Sequence, residues 1–344
     1  MSFKAGLIGY GSGGRIFHAP LLEKAGITLA AIASSKVDAI ASDFPHAAAY
    51  KDPEALVADQ SLDLVIVSTP SHTHADVAIM ALKAGHHVVV DKPFAPSAAD
   101  ADRIISEAKA AGRHVTCFQN RRWDSDFLTI RDLLAQGVLG DIHDYRAHFE
   151  FFKPDAGDTW KNEALPGVGV HYDLGTHMLD QAIALFGMPQ WVEADLRTLR
   201  SNGRAPDHMF ARLGYPDKRA TLIASMFSAY TDERYVIHGS SGSFHKRFMD
   251  CQEEQLKAGI TPSDPDYGVE DPSTFGELIL LDGDQTTRKI HQSHNGQHWK
   301  FYELMRLAIQ EGGAVPVAPE GPRDALLVIE ALMRASDVGQ RIEL

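Results

Sequence analysis

The chain has 344 residues, and its 46 acidic side chains outnumber its 33 Lys and Arg side chains, which gives a formal net charge of -13. Hydrophobic residues make up 44% and charged residues 23%, so the composition is that of a globular protein and gives no support to disordered, collagen-like or coiled-coil classes. The length predicts two domains, and the negative charge argues against nucleic acid and anionic membrane surfaces as partners.

Neither a secretory signal nor a membrane-spanning run is visible in the sequence. The N-terminus reads MSFKAGLIGYG without a basic n-region, and no apolar run reaches about 18 residues. The two cysteines, Cys117 and Cys251, are too few for a disulfide framework or a four-ligand zinc set. We therefore expect a cytoplasmic protein with reduced thiols and no bound metal.

The first 120 residues alternate short apolar runs with helical stretches, which is the pattern of βαβ units and a parallel sheet. The predicted strands are Lys4–Gly9, Thr28–Ser34, Leu64–Ser68, His87–Val90 and Val115–Phe118. Two helices are clear, over His74–Ala84 and Ser97–Ala111. Ser97 suits the N-cap of the second helix and Gly112 its C-cap.

After Asn120 the pattern changes to alternating strands, which predicts an open, mostly antiparallel sheet. Its predicted strands are His143–Phe151, Val192–Thr198, His208–Tyr215, Arg219–Ser228 and Tyr235–His238. Apolar helical stripes suited to covering this sheet are Leu174–Phe186, Trp299–Glu311 and Arg323–Ser336. The stretch from 245 to 276 is assigned no element. The predicted fold is α/β, with a doubly wound Rossmann domain over residues 1–122 and an α+β domain over 123–344 that binds substrate and forms oligomers.

A glycine-rich turn follows the first strand and precedes a helical run. Gly9, Gly11, Ser12, Gly13 and Gly14 form this turn. In dinucleotide-binding folds such glycines permit the tight turn, the approach of backbone to a pyrophosphate, and the packing of helix on strand. We therefore predict a nicotinamide dinucleotide site here.

The end of the second strand indicates which dinucleotide is bound. An NAD site usually has a carboxylate there, whereas this chain has Ser34, Ser35 and Lys36, two hydroxyls and a cation suited to a 2′-phosphate. NADP is therefore favoured over NAD, although the same residues also suit a solvated turn with a helix N-cap.

A lysine, Lys92, follows the strand HVVV, where side chains point into the ligand crevice of a parallel sheet. Thr69, Pro70, His74 and Pro93 are assigned with it to the cofactor site. His72 and His74 lack a third metal ligand at useful spacing, so we interpret them as cleft-lining or satisfied histidines. The group His291, His294 and His298 likewise has no carboxylate or cysteine beside it in the sequence.

A third motif, YDLGTHMLD, places Asp173 and His177 four residues apart, so a continuous helix would put both on one face. The alternatives are a helix-capping aspartate and a core histidine with one satisfied nitrogen.

These three segments together resemble the successive signatures of the glucose-fructose oxidoreductase and inositol dehydrogenase family (Gfo/Idh/MocA). The resemblance covers nearly the whole chain. GYGSGGRIFHAPLL, NRRWDSDFLTI and YDLGTHMLDQAIALFGMP are similar to the branch that contains NADP-dependent scyllo-inositol dehydrogenases. It implies a nucleotide-binding domain, a second domain with an open sheet, an active site between them, and a homodimer or homotetramer.

The resemblance also implies residue roles. The family's Glu-Lys-Pro signature falls on Asp91, Lys92 and Pro93, which makes Lys92 the catalytic lysine and implies a cis peptide bond before Pro93. Residue 91 departs from the usual Glu, which puts its usual contacts in doubt. The Asp-x-Gly-x-His signature falls on Asp173 and His177, so His177 would accept the hydroxyl proton and Asp173 would hold a neighbouring hydroxyl or orient His177.

Further side chains are assigned to the substrate, which we expect to be a polyol or sugar with scyllo-inositol as the best guess. They are Tyr10, His18, Asn120, Arg122, Trp160 and Tyr172. Arg122 and Trp123 equally suit an ion pair and a buried ring that join the domains, and Trp160 suits packing in a loop. The competing hypotheses are a reductase for another sugar, dihydrodiol or bilin, and a non-catalytic NAD(P)-binding sensor.

Overall fold

The N-terminal part of the chain forms a six-stranded, fully parallel sheet in the computed structural model, which describes residues 2–230 and 233–344. Numbered along the chain, its strands are β1 (Phe3–Ile8), β2 (Ile27–Ala33), β3 (Ala48–Tyr50), β4 (Leu64–Val67), β5 (His87–Val90) and β6 (Val115–Cys117). Their spatial order, β3-β2-β1-β4-β5-β6, is that of a doubly wound nucleotide-binding fold. The predicted Rossmann sheet is confirmed, with β3 as a strand that the sequence analysis missed.

Helices connect these strands, as expected for right-handed βαβ crossovers. They are α1 (Ala19–Lys24), α2 (Val37–Asp43), α3 (Pro53–Val57), α4 (His74–Lys83) and α5 (Ala98–Ala111). A π-helical turn, Gly13–His18, leads into α1. Both predicted caps of α5 are confirmed, because the Ser97 hydroxyl accepts from the backbone N–H of Asp100 and Gly112 adopts the left-handed conformation with φ 61°.

The C-terminal part contains a nine-stranded sheet, which confirms the prediction of an open, mostly antiparallel one. Its strands are β7 (Ile142–Glu150), β8 (Trp191–Arg197), β9 (His208–Gly214), β10 (Arg219–Ser225), β11 (Tyr235–Gly239), β12 (Gly242–Lys246), β13 (Gly276–Asp282), β14 (Gln285–His291) and β15 (Ile342–Glu343). They lie in the order β14-β13-β12-β11-β7-β10-β9-β8-β15, and within the described residues only the β7–β10 pairing is parallel. Tyr145, Ala147 and Phe149 alternate along β7 and are fully buried.

The helices in the described residues of the C-terminal part are α6 (Ser125–Ala135), α7 (Val170–Asp173), α8 (Gly175–Phe186), α9 (Gln252–Lys257), α10 (Trp299–Leu307) and α11 (Glu320–Val338). The prediction that the stripe Trp299–Glu311 covers this sheet is wrong, because α10 packs with the N-terminal part of the chain. The helix predicted over Leu174–Phe186 corresponds to α8, whereas Asp173 ends α7, so Asp173 and His177 do not lie on one continuous helix. The unassigned stretch 245–276 contains α9 and a 3₁₀ turn, Pro272–Thr274.

The chain divides into two compact units. The first contains Met1–Asn120, Gln252–Tyr267 and Gln297–Arg323, and the second contains Arg121–Cys251, Gly268–Gly296 and Asp324–Leu344. The sequence analysis drew a single boundary after residue 122, whereas two later stretches pack with the first unit. Their contacts there are specific, since the Thr116 hydroxyl donates to the Val317 carbonyl at 2.7 Å and Arg306 Nε donates to the Ala25 carbonyl at 2.8 Å.

Within the described ranges, no helix combines the length and the apolar character needed to cross a bilayer.

Candidate active site

The residues that follow the parallel strands of the first unit lie side by side at the carboxyl edge of the sheet. In each case the backbone N–H of the residue after one strand donates to the last carbonyl of its neighbour, at 2.8 to 2.9 Å: Gly9 to Ala33, Ser68 to Ile8, Asp91 to Val67 and Phe118 to Val90. Ligands of doubly wound sheets bind at this edge, where the strand order reverses between β1 and β4. The edge therefore brings the glycine turn, the Thr69–Pro70 segment and Lys92 together.

The glycine turn fits a dinucleotide. Gly9 has φ 104°, and a Cβ there would lie 2.2 Å from the Ser68 carbonyl oxygen. A Cβ on Gly14 would lie 2.2 Å from the Gly9 oxygen, so the helix start packs directly on the turn. Apart from its chain neighbours, none of the described residues has a heavy atom within 4 Å of the Gly11 Cβ position, which leaves its backbone open to a ligand. The Cβ position of Gly13 faces Ser68 Oγ and Asp91 Oδ2. Ser12, between Gly11 and Gly13, is exposed.

The residues predicted to bind the 2′-phosphate lie between β2 and α2. Ser35 and Lys36 are exposed, and Ser34 is half-buried with its hydroxyl accepting from the Lys36 backbone N–H at 3.3 Å. No carboxylate interrupts this three-residue segment. The helix α2 begins directly after this segment with Lys36 as its N-cap, so the alternative of an N-cap at Ser34 or Ser35 is wrong, whereas an exposed turn is present.

Tyr10 points toward the end of α2. Its hydroxyl donates to Asp43 Oδ2 at 2.6 Å, and its ring lies edge-on to Phe44 at a centroid distance of 6.0 Å. Burial, followed by the hydrogen bond and the charge of Asp43, raises the pKa of the Tyr10 phenol. The Tyr10 side chain is therefore held against the C-terminal end of α2.

Asp91 replaces the usual glutamate with a fully engaged carboxylate. Its Oδ2 accepts from Ser68 Oγ at 2.9 Å and lies 3.2 Å from His18 Nε2, and its Oδ1 accepts from the Lys92 backbone N–H at 2.7 Å. Burial opposes ionisation of this group. His18, through its positive charge when protonated and its hydrogen bond, together with His74 and Lys92, nevertheless holds the Asp91 pKa below its ordinary value. The Asp91 carboxylate thus contacts Ser68 and His18 through one oxygen and the Lys92 backbone through the other.

His74 joins two segments of the same edge. Its Nε2 lies 2.8 Å from the Thr69 carbonyl oxygen and its Nδ1 lies 2.7 Å from the Pro93 carbonyl oxygen, with 1% of the residue exposed. Burial is the main cause that lowers the pKa of His74, although the charge of Asp91 acts in the opposite direction. The peptide bond between Lys92 and Pro93 is cis, which confirms the expectation from the resemblance. Both ring nitrogens of His74 thus face backbone, and Pro70 beside Thr69 stays exposed.

The other two residues assigned to substrate in the first unit have partners from the later stretches of the chain. His18 is completely buried, and its Nδ1 contacts the hydroxyl of Tyr302. The Asn120 amide nitrogen lies 3.4 Å from His298 Nδ1.

In the second unit, Asp173 forms an ion pair with Lys161. Lys161 Nζ lies 3.2 and 3.4 Å from its two carboxylate oxygens and 5.9 Å from the centroid of the Trp160 ring. Trp160 is 38% exposed, and Asp173 keeps 29% of its side chain exposed. The predicted Trp160 and Asp173 are thus brought together by a lysine that the sequence analysis did not single out.

His177 lies on α8, 5% exposed, with its ring centroid 6.5 Å from that of Phe149. One turn further along, the Asp180 carboxylate accepts hydrogen bonds from Nε and Nη2 of Arg122, at 2.7 and 2.8 Å. The pair is bidentate, and the Asp180 side chain is 1% exposed. This pair engages the Arg122 guanidinium inside the second unit. Tyr172 is also engaged, because its hydroxyl contacts Met333 Sδ on α11 at 3.8 Å, and burial raises its pKa to about 12.

Sequence reasoning missed three residues around these positions. Lys161 stands one residue after Trp160, so its neighbourhood was visible in the sequence although its partner was not. Tyr302 reaches His18 from 284 residues away, a distance that no local pattern reports. Gln119 is 1% exposed at the end of β6, and within residues 2–230 and 233–344 neither atom of its amide has a hydrogen-bond partner.

Two family models match the chain in succession. The model for the oxidoreductase family with an NAD-binding Rossmann fold matches residues 3–119, and that for the C-terminal alpha/beta domain of the same family matches residues 131–344. The protein belongs to the Gfo/Idh/MocA oxidoreductase family. It is therefore an oxidoreductase with an NAD(P)-binding Rossmann domain, as the sequence resemblance predicted.

Individual relatives agree with this assignment over the full chain. The chain is 39% identical to the uncharacterized oxidoreductase YdgJ of Escherichia coli, covering 96% of this chain and 95% of that one. It is 34% identical to scyllo-inositol 2-dehydrogenase (NADP(+)) IolW of Bacillus subtilis, covering 97% and 94%. Among solved structures, the oxidoreductase YvaA of Bacillus subtilis superposes with a TM-score of 0.97 at 34% identity, covering 100% of this chain and 98% of that one.

Proposed function

We propose that this Gfo/Idh/MocA protein interconverts a secondary alcohol of a cyclic polyol or sugar and its ketone, with NADP as the preferred cofactor and scyllo-inositol as the best single substrate candidate. The observation that carries the proposal is the carboxyl edge of the first unit, where Lys92 follows a carboxylate that also borders the glycine turn. A dinucleotide turn and an ammonium at one sheet edge are the parts that alcohol oxidation needs. The full-length similarity to an NADP-dependent scyllo-inositol dehydrogenase supports the choice of substrate.

The bound nicotinamide supplies the hydride acceptor. The Lys92 ammonium donates a hydrogen bond to the reacting oxygen, which stabilises the developing alkoxide in oxidation and polarises the carbonyl in reduction. His177 accepts the hydroxyl proton as a neutral imidazole, the form suited to a base near neutral pH.

Asp173 and its partner Lys161 bind neighbouring hydroxyls. A carboxylate accepts and an ammonium donates, and both retain exposed surface beside the ring of Trp160. A polyol has adjacent hydroxyls that need fixed partners, so that one carbon alone is presented for oxidation.

The preference for NADP rests on Ser34, Ser35 and Lys36. Hydroxyls and an ammonium bind a phosphate, and the absence of a carboxylate from this segment removes the repulsion that excludes one. Lys36→Ala is expected to raise the KM for NADP and leave that for NAD unchanged. Ser35→Asp is expected to invert the preference.

The first experiment is a panel that follows nicotinamide absorbance with NADP or NAD and with scyllo-inositol, myo-inositol, glucose or xylose. We expect scyllo-inositol with NADP to be the fastest pair. Lys92→Ala should retain NADPH binding by fluorescence while turnover falls by ~10² or more. The matched control is Lys83→Ala, which removes an exposed lysine of α4 and should change neither. Near-normal turnover by Lys92→Ala would refute the assignment, and a silent panel with NADPH still bound would favour the sensor hypothesis.

The exposed face of the nine-stranded sheet supports a further part of the proposal, a homodimer or homotetramer. Phe210 on β9 is 36% exposed, and it lies opposite the half-buried Ile223 in the register of the neighbouring strand β10. Such a broad sheet face commonly pairs with a second copy. Sedimentation is expected to give at least a dimer, and a profile at the monomer mass of 37.7 kDa would contradict it.

A further inference from the structure

A buried row of side chains, Tyr302, His18 and Asp91, runs through the first unit and ends beside Lys92. His18 Nδ1 contacts the Tyr302 hydroxyl, and Nε2 lies 3.2 Å from Asp91 Oδ2. His18 and Tyr302 are both fully buried, and the His18 ring packs on Phe118 at a centroid distance of 4.3 Å. The row therefore links α10 to the residue before Lys92.

The chemistry of the three groups fixes the order in which they face one another. The ionised carboxylate of Asp91 can only accept, and the atom that faces it at 3.2 Å is His18 Nε2. Tyr302 makes its one hydrogen bond among the described residues to His18, and a buried hydroxyl left without an acceptor costs about 1–3 kcal/mol. The phenol therefore donates to Nδ1, and Nε2 is the nitrogen left to face Asp91.

The Asp91 carboxylate transmits this arrangement to Lys92. Its Oδ2 is held by Ser68 at 2.9 Å and by His18, while its Oδ1 accepts the backbone N–H of Lys92 at 2.7 Å. Gly13 lies on the same side of the carboxylate, where an added Cβ would come within 3.0 Å of Oδ2. Without the His18 contact, the Asp91 carboxylate loses one of the two groups that face Oδ2 and is free to turn away from the Lys92 amide.

We propose that His18 is a positioning residue which, through Asp91, fixes the backbone at Lys92. The proposal rests on the proposed function for the role of Lys92 in turnover, and on the hydrogen bonds alone for the order of the Lys92 peptide. It replaces the direct substrate contact that the sequence analysis assigned to His18. Misplacing a reacting group by about 1 Å costs up to ~10² in rate, so the loss should appear in kcat and not in binding.

Two substitutions of His18 distinguish the roles of its two ring nitrogens. Gln places an amide nitrogen near the position of Nε2 and keeps a donor for Asp91, whereas Asn reaches only the position of Nδ1 and keeps a partner for Tyr302. In His18→Asn we expect kcat to fall by about tenfold or more, with the KM for the polyol and the Kd for NADPH within about threefold of the native protein. His18→Gln should recover most of this loss.

The second readout is independent of turnover. Amide hydrogen exchange, measured on a peptide that contains residue 92, should be at least about tenfold faster in His18→Asn than in the native protein and nearly native in His18→Gln. Equal exchange in the two variants, or a loss confined to KM or Kd, would overturn the positioning role. If the native protein turns over no polyol while exchange follows the expected order, the proposed substrate is wrong and the fixing of the Lys92 backbone by His18 stands.

Discussion

Alanine substitution at two glycines of the nucleotide turn is expected to affect different properties, stability at Gly14 and cofactor binding at Gly11. The Cβ of Gly14→Ala would lie 2.2 Å from the Gly9 oxygen, where ordinary contacts exceed 3.4 Å, so the helix start must move by about 1 Å. Overpacking of this size costs about 1–3 kcal/mol, which lowers the Tm by roughly 2–12 °C in a domain of this size. The Cβ of Gly11→Ala meets nothing within 4 Å and the residue does not have a positive φ, so its Tm should stay within about 2 °C of native.

Binding of the cofactor should separate the pair further. If the Gly11 backbone is where the pyrophosphate approaches, the added methyl group occupies that space, and the Kd for NADPH should rise by about tenfold or more. Thermal unfolding with and without NADPH, together with a fluorescence titration, measures both quantities. A Gly11→Ala protein that binds NADPH as the native protein does, or that melts as early as Gly14→Ala, would refute this account of the turn.

Three further predictions concern the second unit. Glu270 accepts a hydrogen bond from Lys246 at 2.7 Å, and Lys246→Met leaves this buried carboxylate without its cation. The free energy of unfolding, measured with denaturant, should fall by about 3–5 kcal/mol, and an unchanged midpoint would contradict this. Arg122→Gln should lower the Tm by removing the partner of Asp180 yet leave the polyol KM within about threefold, whereas a large rise in KM would restore Arg122 to the substrate site. Burial lowers the pKa of His171 to about 4 from 6.5, so the unfolded chain binds the extra proton between these values, and stability falls as pH decreases through that window. His171→Leu should reduce this fall by about 3 kcal/mol, measured as the pH dependence of the free energy of unfolding, and equal slopes would argue against it.

Local patterns in the sequence predicted local structure well. The Ser97 and Gly112 caps, the glycine turn and the position of Lys92 after β5 all follow from short-range rules of helix capping and strand ends. The fold class followed because the hydrophobic period changes from one part of the chain to the next.

Contacts between distant parts of the chain were not predictable in this way. The partner of His18 is Tyr302, and that of Arg122 is Asp180, so residues assigned to the substrate proved to be engaged with protein groups. The spacing of Asp173 and His177 suggested one helix, but spacing carries no information about the break at Leu174. Residues 245–276 were left unassigned because α9 is a single short helix whose place depends on tertiary packing.

The three-segment construction of the first unit sets the order in which it is completed during synthesis. About 200 residues separate Asn120 from Arg323, which a ribosome adding roughly 5–20 residues per second needs roughly 10–40 s to make. Until then the nascent parallel sheet lacks Tyr302, Arg306 and Val317. The domain that begins first on the ribosome is therefore finished almost last, and a gene cut after residue 120 would leave out the contacts that Tyr302, Arg306 and Val317 make with it.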